Sequence, residues 1–149
     1  MVFIKIGIAA ILLFRASYTD LKEGKIENRL IAAGLTLGLI CAGIEDGLPG
    51  LIGSIKMVCT ITAALFFLFV IKALGAGDIK LFAVLASFFP EEIVSIIITS
   101  FFMGAAIAIG RMGVRAVRHL PVYRKKETLN FSIPITAGTV IVGFLHLVP

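Results

Sequence analysis

The sequence is poor in the residues on which soluble, disulfide-bonded and metal-binding domains depend. Its 149 residues include no tryptophan, two cysteines and two histidines, and only 15% of them are charged. A soluble domain usually carries about 25% charged residues. Cys41 and Cys59 lie in separate apolar runs without further ligands at metal-binding spacing. We therefore expect no disulfide framework, no metal site and no cofactor.

Apolar residues are abundant instead. They make up 59% of the chain, and the mean hydropathy is +1.08. This composition excludes a disordered chain and an ordinary soluble globule. It predicts an all-α bundle of membrane-spanning helices, with residues 1–149 in one membrane-embedded domain. Cytoplasmic loops rich in Lys and Arg explain the net charge of +5. No interleaved basic and aromatic surface indicates nucleic acid.

The apolar runs predict about six transmembrane helices, at 2–17, 30–44, 48–71, 81–90, 93–110 and 131–148. The first run is interpreted as a retained span. Arg15 directly follows its apolar core, and no small-residue cleavage site precedes Asp20. The run 81–90 is short for a crossing and is also compatible with a re-entrant segment.

The distribution of charge favours six spans with both chain ends outside. If 81–90 crosses, the loops 18–29, 72–80 and 111–130 lie inside. With their flanks they then hold 12 of the 14 basic residues. The outer turns carry only acidic residues, namely Glu45, Asp46, Glu91 and Glu92. Lys5 alone opposes this orientation.

The inner loop 111–130 has two interpretations. Arg111, Arg115 and Arg118 follow helical spacing, which predicts a basic helical extension that lies on anionic headgroups. A simple cluster of charges that sets the orientation explains them equally well.

Two aspartates are the candidate catalytic residues. Asp20 ends the first span, and Asp78 precedes the short fourth span on the same side. Carboxylates at such depth should face protein or a water-filled cavity. Two carboxylates that share a proton can activate a water molecule for peptide hydrolysis. Gly75 and Gly77, just before Asp78, allow φ > 0 and the close approach of another backbone, which an extended substrate needs.

Helix dipoles predict different roles for the two aspartates. Asp20 lies at the C-terminal end of a helix, where the dipole disfavours a carboxylate. Asp78 lies at the N-terminal end of the next short helix, where N–H groups favour an anion. We therefore expect the shared proton mainly on Asp20, with Asp78 as the base.

Three motifs support a family resemblance. GAGDIK at 75–80 matches the pattern Gly-x-Gly-Asp-x-Lys, and Asp20, Ile26 and Asn28 match an Asp followed by Ile-Pro-Asn, with Glu27 in place of the proline. The segment FSIPITAGTVIVG is similar to a last span that opens near a proline. The sequence thus resembles the type IV prepilin peptidases, the GxGD aspartic membrane proteases. It resembles their short form, which lacks the N-terminal region associated with methylation.

The resemblance implies an aspartic endopeptidase of a prokaryotic cytoplasmic membrane, with the active site facing the cytoplasm. Its partners would be precursors of type IV pilins, Flp-type pilins or pseudopilins, which serve pili or protein secretion, and a bilayer with anionic headgroups. By the same resemblance Asp20 and Asp78 are catalytic, and Gly75, Gly77, Lys80 and Asn28 bind substrate. The paired CxxC motifs of methylating relatives do not occur in this sequence, so we do not expect methylation.

Other interpretations remain open at this stage. Lys80 is also explained as a positive charge on the inner side, and Asn28 as a helix cap. The membrane aspartates also fit a proton- or ion-coupled transporter, or an inactive assembly factor of the same fold. Transporter sites usually lie near the midplane, often within repeats. Here both aspartates lie at helix ends near one face, and no repeat is visible, which favours the protease.

Overall fold

The computed structural model describes residues 2–117 and 131–147, and every regular element in these two ranges is a helix. The helices are α1 (Val2–Glu23), α2 (Asn28–Val70), α3 (Ala76–Phe88), α4 (Ile93–Val117) and α5 (Ser132–Leu147). The predicted all-α class is confirmed. Helices α1 and α4 extend beyond the C-terminal ends of their apolar runs, because the polar residues that follow continue the same backbone hydrogen bonding.

The long helix α2 folds back on itself at Gly47. Gly47 has φ 63° and ψ −146°, which is not helical, and Pro49 follows it. A straight helix of this length would measure about 65 Å. Nevertheless Asn28 at its start and Phe69 at its end line the same cavity. Helix α2 therefore consists of two arms, 28–46 and 48–70, which reverse at the predicted turn.

The short helix α3 forms the centre of the protein. All residues from 81 to 88 are buried. Gly38, on the first arm of α2, allows close packing, since a Cβ atom there would lie 2.8 Å from the Cβ of Ser87. The run that looked too short for an ordinary span is thus enclosed by the other helices.

The outer surface is apolar, as in a membrane protein. Phe3, Phe14, Leu48 and Phe102 each expose more than 70% of their area. Soluble proteins rarely expose apolar patches on this scale. In the described ranges two helices are long and apolar enough to cross a membrane, namely α2 and the Ile93–Val114 part of α4. The count of six crossings remains a prediction.

The six helical segments run alternately between two ends of the protein. At one end Ile6, Glu92 and Phe144 line a small apolar cavity of about 240 Å³. At the other end a larger cavity is lined by Asp20 and Phe131, among others. This alternation is the arrangement expected for the predicted topology, whereas the membrane side of each end remains a prediction.

Lys5, the residue that opposed the predicted orientation, forms an ion pair with Glu45 at the turn between the arms of α2. Its charge is therefore neutralised within the protein. Of the basic loop 111–130, residues 111–117 continue α4 as helix. The remaining basic residues, Arg118, Arg124, Lys125 and Lys126, lie outside the described residues.

Candidate active site

One cavity brings together all six residues that were predicted to be catalytic or to bind substrate. It has a volume of about 810 Å³ and opens beside the N-terminus of α3. Its lining includes residues from the end of α1, the start of α2, and the N-cap and first two turns of α3: Asp20, Asn28, Gly75, Gly77, Asp78 and Lys80. The fold thus places the two motif segments against each other.

Asp20 lies in the last turns of α1 and is half-buried. The Ser132 hydroxyl, at the start of α5, donates a hydrogen bond of 2.6 Å to Asp20 Oδ2. Helix α1 ends at Glu23, and the next residue, Gly24, has a positive φ of 64° and donates its N–H to the Asp20 carbonyl at 2.9 Å. Gly24 also lines the cavity, and sequence reasoning did not single it out.

Asp78 is the third residue of α3, and Gly75 is the N-cap. The Gly75 N–H donates a hydrogen bond of 3.3 Å to Asp78 Oδ2. A Cβ atom on Gly75 would lie only 2.9 Å from the same oxygen. Gly75 therefore leaves space for the carboxylate.

Gly75 and Gly77 do not use the positive φ that glycine allows. Gly75 has φ −76°, and the positive-φ glycines of the described residues are Gly24 and Gly47. At Gly77 a Cβ would meet the Ile26 side chain at 3.4 Å, an ordinary packing distance. The motif therefore depends on the small size of Gly75 rather than on left-handed backbone.

The electrostatics of the pair also reverse the prediction from helix dipoles. Asp78 lies at the N-terminal end of α3, before the predicted span 81–90. Burial, which is the largest cause, and the nearby Asp20 carboxylate raise the pKa of Asp78 to about 6 against the opposing hydrogen bond from the Gly75 N–H. Desolvation thus outweighs the helix N-terminus, which favours Asp78 as the carboxyl that keeps the proton.

Asn28 and Lys80 meet at the mouth of the cavity. Asn28 is the first residue of α2, and the N-cap is Glu27, so the prediction that Asn28 caps this helix is wrong. Instead, the Lys80 ammonium donates a hydrogen bond of 2.9 Å to Asn28 Oδ1. Both side chains are exposed. Their contact therefore joins α2 to α3 where a ligand would enter.

Several cavity residues were missed by sequence reasoning. Lys25 and Lys72 add two positive charges to that of Lys80, and Phe69 and Phe131 add aromatic surface. The two lysines flank the aspartate motifs closely enough for the sequence to have indicated them. No such signal indicated Ser132, because it lies on the last helix.

The arrangement suits acid–base chemistry on a bound water molecule. Two carboxylates that share one proton can supply both a base and an acid. The cavity is open and lined by both carboxylates and lysines, so water and an extended peptide can enter it. In residues 2–117 and 131–147 no three His, Cys, Asp or Glu side chains form a candidate metal site.

Comparison with known proteins identifies the family. No curated protein matches the chain, and no solved structure matches it. A sequence model of the type IV leader peptidase family matches residues 7–109, which is more than half of the chain and includes both Asp20 and Asp78. This match confirms the resemblance drawn from the motifs: the chain belongs to the type IV leader peptidase family.

Proposed function

We propose that the protein is an aspartic endopeptidase that removes the leader from prepilin-like precursors. One observation carries the proposal: Asp20 and Asp78, which belong to different helices, line one cavity and interact electrostatically. Membership of a leader peptidase family supports proteolysis as the chemistry.

The reaction begins with one proton on the pair. Asp78 holds that proton, and Asp20 is the carboxylate to which Ser132 donates. A water molecule between them gives a proton to Asp20, and its oxygen attacks the scissile carbonyl carbon. Asp78 gives its proton to the carbonyl oxygen, which yields a neutral tetrahedral intermediate.

Collapse of the intermediate completes the cycle. The C–N bond breaks as the leaving amine takes the proton from Asp20. A hydroxyl of the intermediate returns a proton to Asp78 as the new carboxyl group forms. The pair then again holds one proton, so the reaction consumes one water and no other reagent.

Substrate binding is proposed to use the opening of the cavity. Gly75 and Gly77 expose backbone to an extended peptide, and the Lys80–Asn28 contact borders its path. The bond cleaved lies between a short basic leader and an apolar helix. We propose that this helix remains in the bilayer beside the exposed apolar side chains of the protein.

The cellular setting follows from the same proposal. The chain forms one domain of six spans in the cytoplasmic membrane of a prokaryote, with the cavity on the cytoplasmic side. Its precursors are type IV pilins, Flp-type pilins or pseudopilins. The basic residues beside the cavity mouth would lie near anionic headgroups on that side.

A cleavage assay tests the proposal. The purified protein in detergent is incubated with one precursor of each of the three classes, together with D20N, D78N and the control D46N. Asp46 is an exposed carboxylate at the turn of α2, away from the cavity. We expect D20N and D78N to lose at least about a hundredfold in rate and D46N to cleave like the wild type.

Other results would identify a different function. Cleavage that survives in D20N or D78N would refute the aspartate mechanism. Ion-dependent uptake into liposomes without cleavage of any precursor would identify a transporter. The absence of both activities would identify an inactive assembly factor.

A further inference from the structure

A hydroxyl group on the last helix contacts the first aspartate. Ser132 is fully buried, with 0% of its surface exposed. Its Oγ donates to Asp20 Oδ2 at 2.6 Å, whereas the Gly75 N–H reaches Asp78 across 3.3 Å. A hydroxyl bond to a carboxylate at this distance is among the stronger hydrogen bonds in proteins. The hydrogen bond from Ser132 to Asp20 is therefore shorter than the one from Gly75 to Asp78.

Further hydrogen bonds join the start of α5, around Ser132, to α1. Ser17, one helical turn before Asp20, exchanges a hydrogen bond of 2.8 Å with Thr136, one turn after Ser132. The Ser17 hydroxyl also lies 3.4 Å from the Ser132 carbonyl oxygen, to which Thr136 donates at 2.9 Å. These contacts fix the register of α1 against α5 at the level of Asp20.

We propose that Ser132 is a positioning residue, which holds the Asp20 carboxylate in the orientation that it needs to take a proton from the attacking water. The proposal rests on the proposed function of the cavity and adds to it a residue from outside the family match, which ends at residue 109. Ser132 acts through Asp20 and does not line the cavity itself. Its hydrogen bond to Oδ2 restricts rotation of the carboxylate.

Kinetics of matched variants test this role. S132A removes the hydroxyl, S132T retains it, and S100A is the control. Ser100 is also 0% exposed, and its hydroxyl donates to a backbone carbonyl, that of Ile96, at 2.6 Å. We expect S132A to lower kcat about tenfold to a hundredfold with little change in KM. S132T should recover most of the loss, and S100A should behave like the wild type.

The pH profile separates positioning from simple support of the fold. In S132A the acidic limb of the kcat profile, which reports the pair, should move to higher pH. S132A and S100A should unfold at similar temperatures. A loss of kcat that follows a loss of thermal stability in both variants, with unmoved pH profiles, would contradict the proposal.

Infrared difference spectroscopy tests the contact without any substrate. The Asp20 carboxylate band is the one that D20N removes. This band should shift in S132A, return in S132T and stay in place in S100A. An unmoved band in S132A overturns the role of Ser132 whatever the protein cleaves. A shifted band in a protein that cleaves no precursor would support the contact while refuting the proposed function.

Discussion

The Lys80 ammonium donates a hydrogen bond of 2.9 Å to the Asn28 amide oxygen, and this bond joins the first turn of α3 to the start of α2. It places a positive charge at the mouth of the cavity that contains both aspartates. The same lysine also belongs to the basic residues that predict the orientation of the chain. The two roles can be separated by comparison with another lysine at the same end.

Lys22 is the matched lysine, because it is exposed and sits over the Tyr18 ring, 5.9 Å from its centre, outside the cavity lining. We expect K80Q to raise KM about threefold to tenfold with kcat nearly unchanged, since it removes a contact at the cavity mouth. K22Q should leave both constants near wild type. Equal effects of the two substitutions on cleavage would show that Lys80 serves only to set the orientation of the chain in the membrane.

Gly75 should tolerate substitution less well than Gly77. An alanine at 75 places its Cβ within 2.9 Å of Asp78 Oδ2, whereas one at 77 meets only the Ile26 side chain at 3.4 Å. We expect G75A to lower kcat about tenfold more than G77A, because it displaces a reacting carboxyl. Steady-state cleavage kinetics measure the difference. A larger loss in G77A would point to backbone recognition at 77 instead.

The raised pKa of Asp78, about 6, predicts an activity that falls as the solution becomes more alkaline. Above this pH Asp78 loses the proton that it must donate, and the pair holds two negative charges. At low pH the second carboxyl also takes a proton, and the base is lost. We therefore expect a bell-shaped profile of kcat/KM with an upper limb near pH 6. A profile that stays level from pH 6 to 9 would exclude Asp78 as the acid.

The close packing of α2 on α3 predicts that alanine substitution has opposite effects on stability at two glycines, Gly38 and Gly43. G38A brings a methyl group within 2.8 Å of the Ser87 Cβ, and this overpacking should cost about 1–3 kcal/mol. Gly43, on the same arm, has no atom within 4 Å of the added Cβ, so G43A should stabilise by up to about 1 kcal/mol. Thermal unfolding in detergent measures both. In the S87G background, which lacks this Cβ, G38A should cost less stability than in the wild type, and an equal cost in the two backgrounds would contradict the packing argument.

The predicted topology can be tested by cysteine labelling after replacement of Cys41 and Cys59. Glu23 and Asp46 are exposed residues at opposite ends of the helical segments. In intact cells E23C should be protected from an impermeant reagent and D46C should react, and both should react after permeabilisation. Protection of D46C together with labelling of E23C would invert the orientation.

Much of the fold follows from the sequence, because apolar runs and turn residues act locally. The turn between 30–44 and 48–71 was predicted at the position where Gly47 reverses α2. The six motif residues were predicted to form a site, and they do line one cavity. Glu27, in place of the usual proline, still serves as the N-cap of α2 without a side-chain hydrogen bond.

Contacts between distant helices could not be predicted in this way. The Ser132–Asp20 bond joins the last helix to the first, and no local pattern encodes it. The balance of charge on the aspartates also depends on tertiary burial. The ends of a helix, and therefore its dipole, can be predicted from the sequence. The desolvation that raises the pKa of Asp78 depends on how the helices pack, which the sequence pattern does not indicate.

The enclosure of α3 has a consequence for how the protein responds to its lipid. Its 13 residues measure about 20 Å, less than the roughly 30 Å of a hydrocarbon core. A helix that short would thin the bilayer if lipid touched it. Residues 81–88 are surrounded by protein, so any mismatch in thickness falls on the outer helices. The depth of Asp78 is thereby set by protein packing, and membranes of different thickness would hold its carboxyl group at the same level.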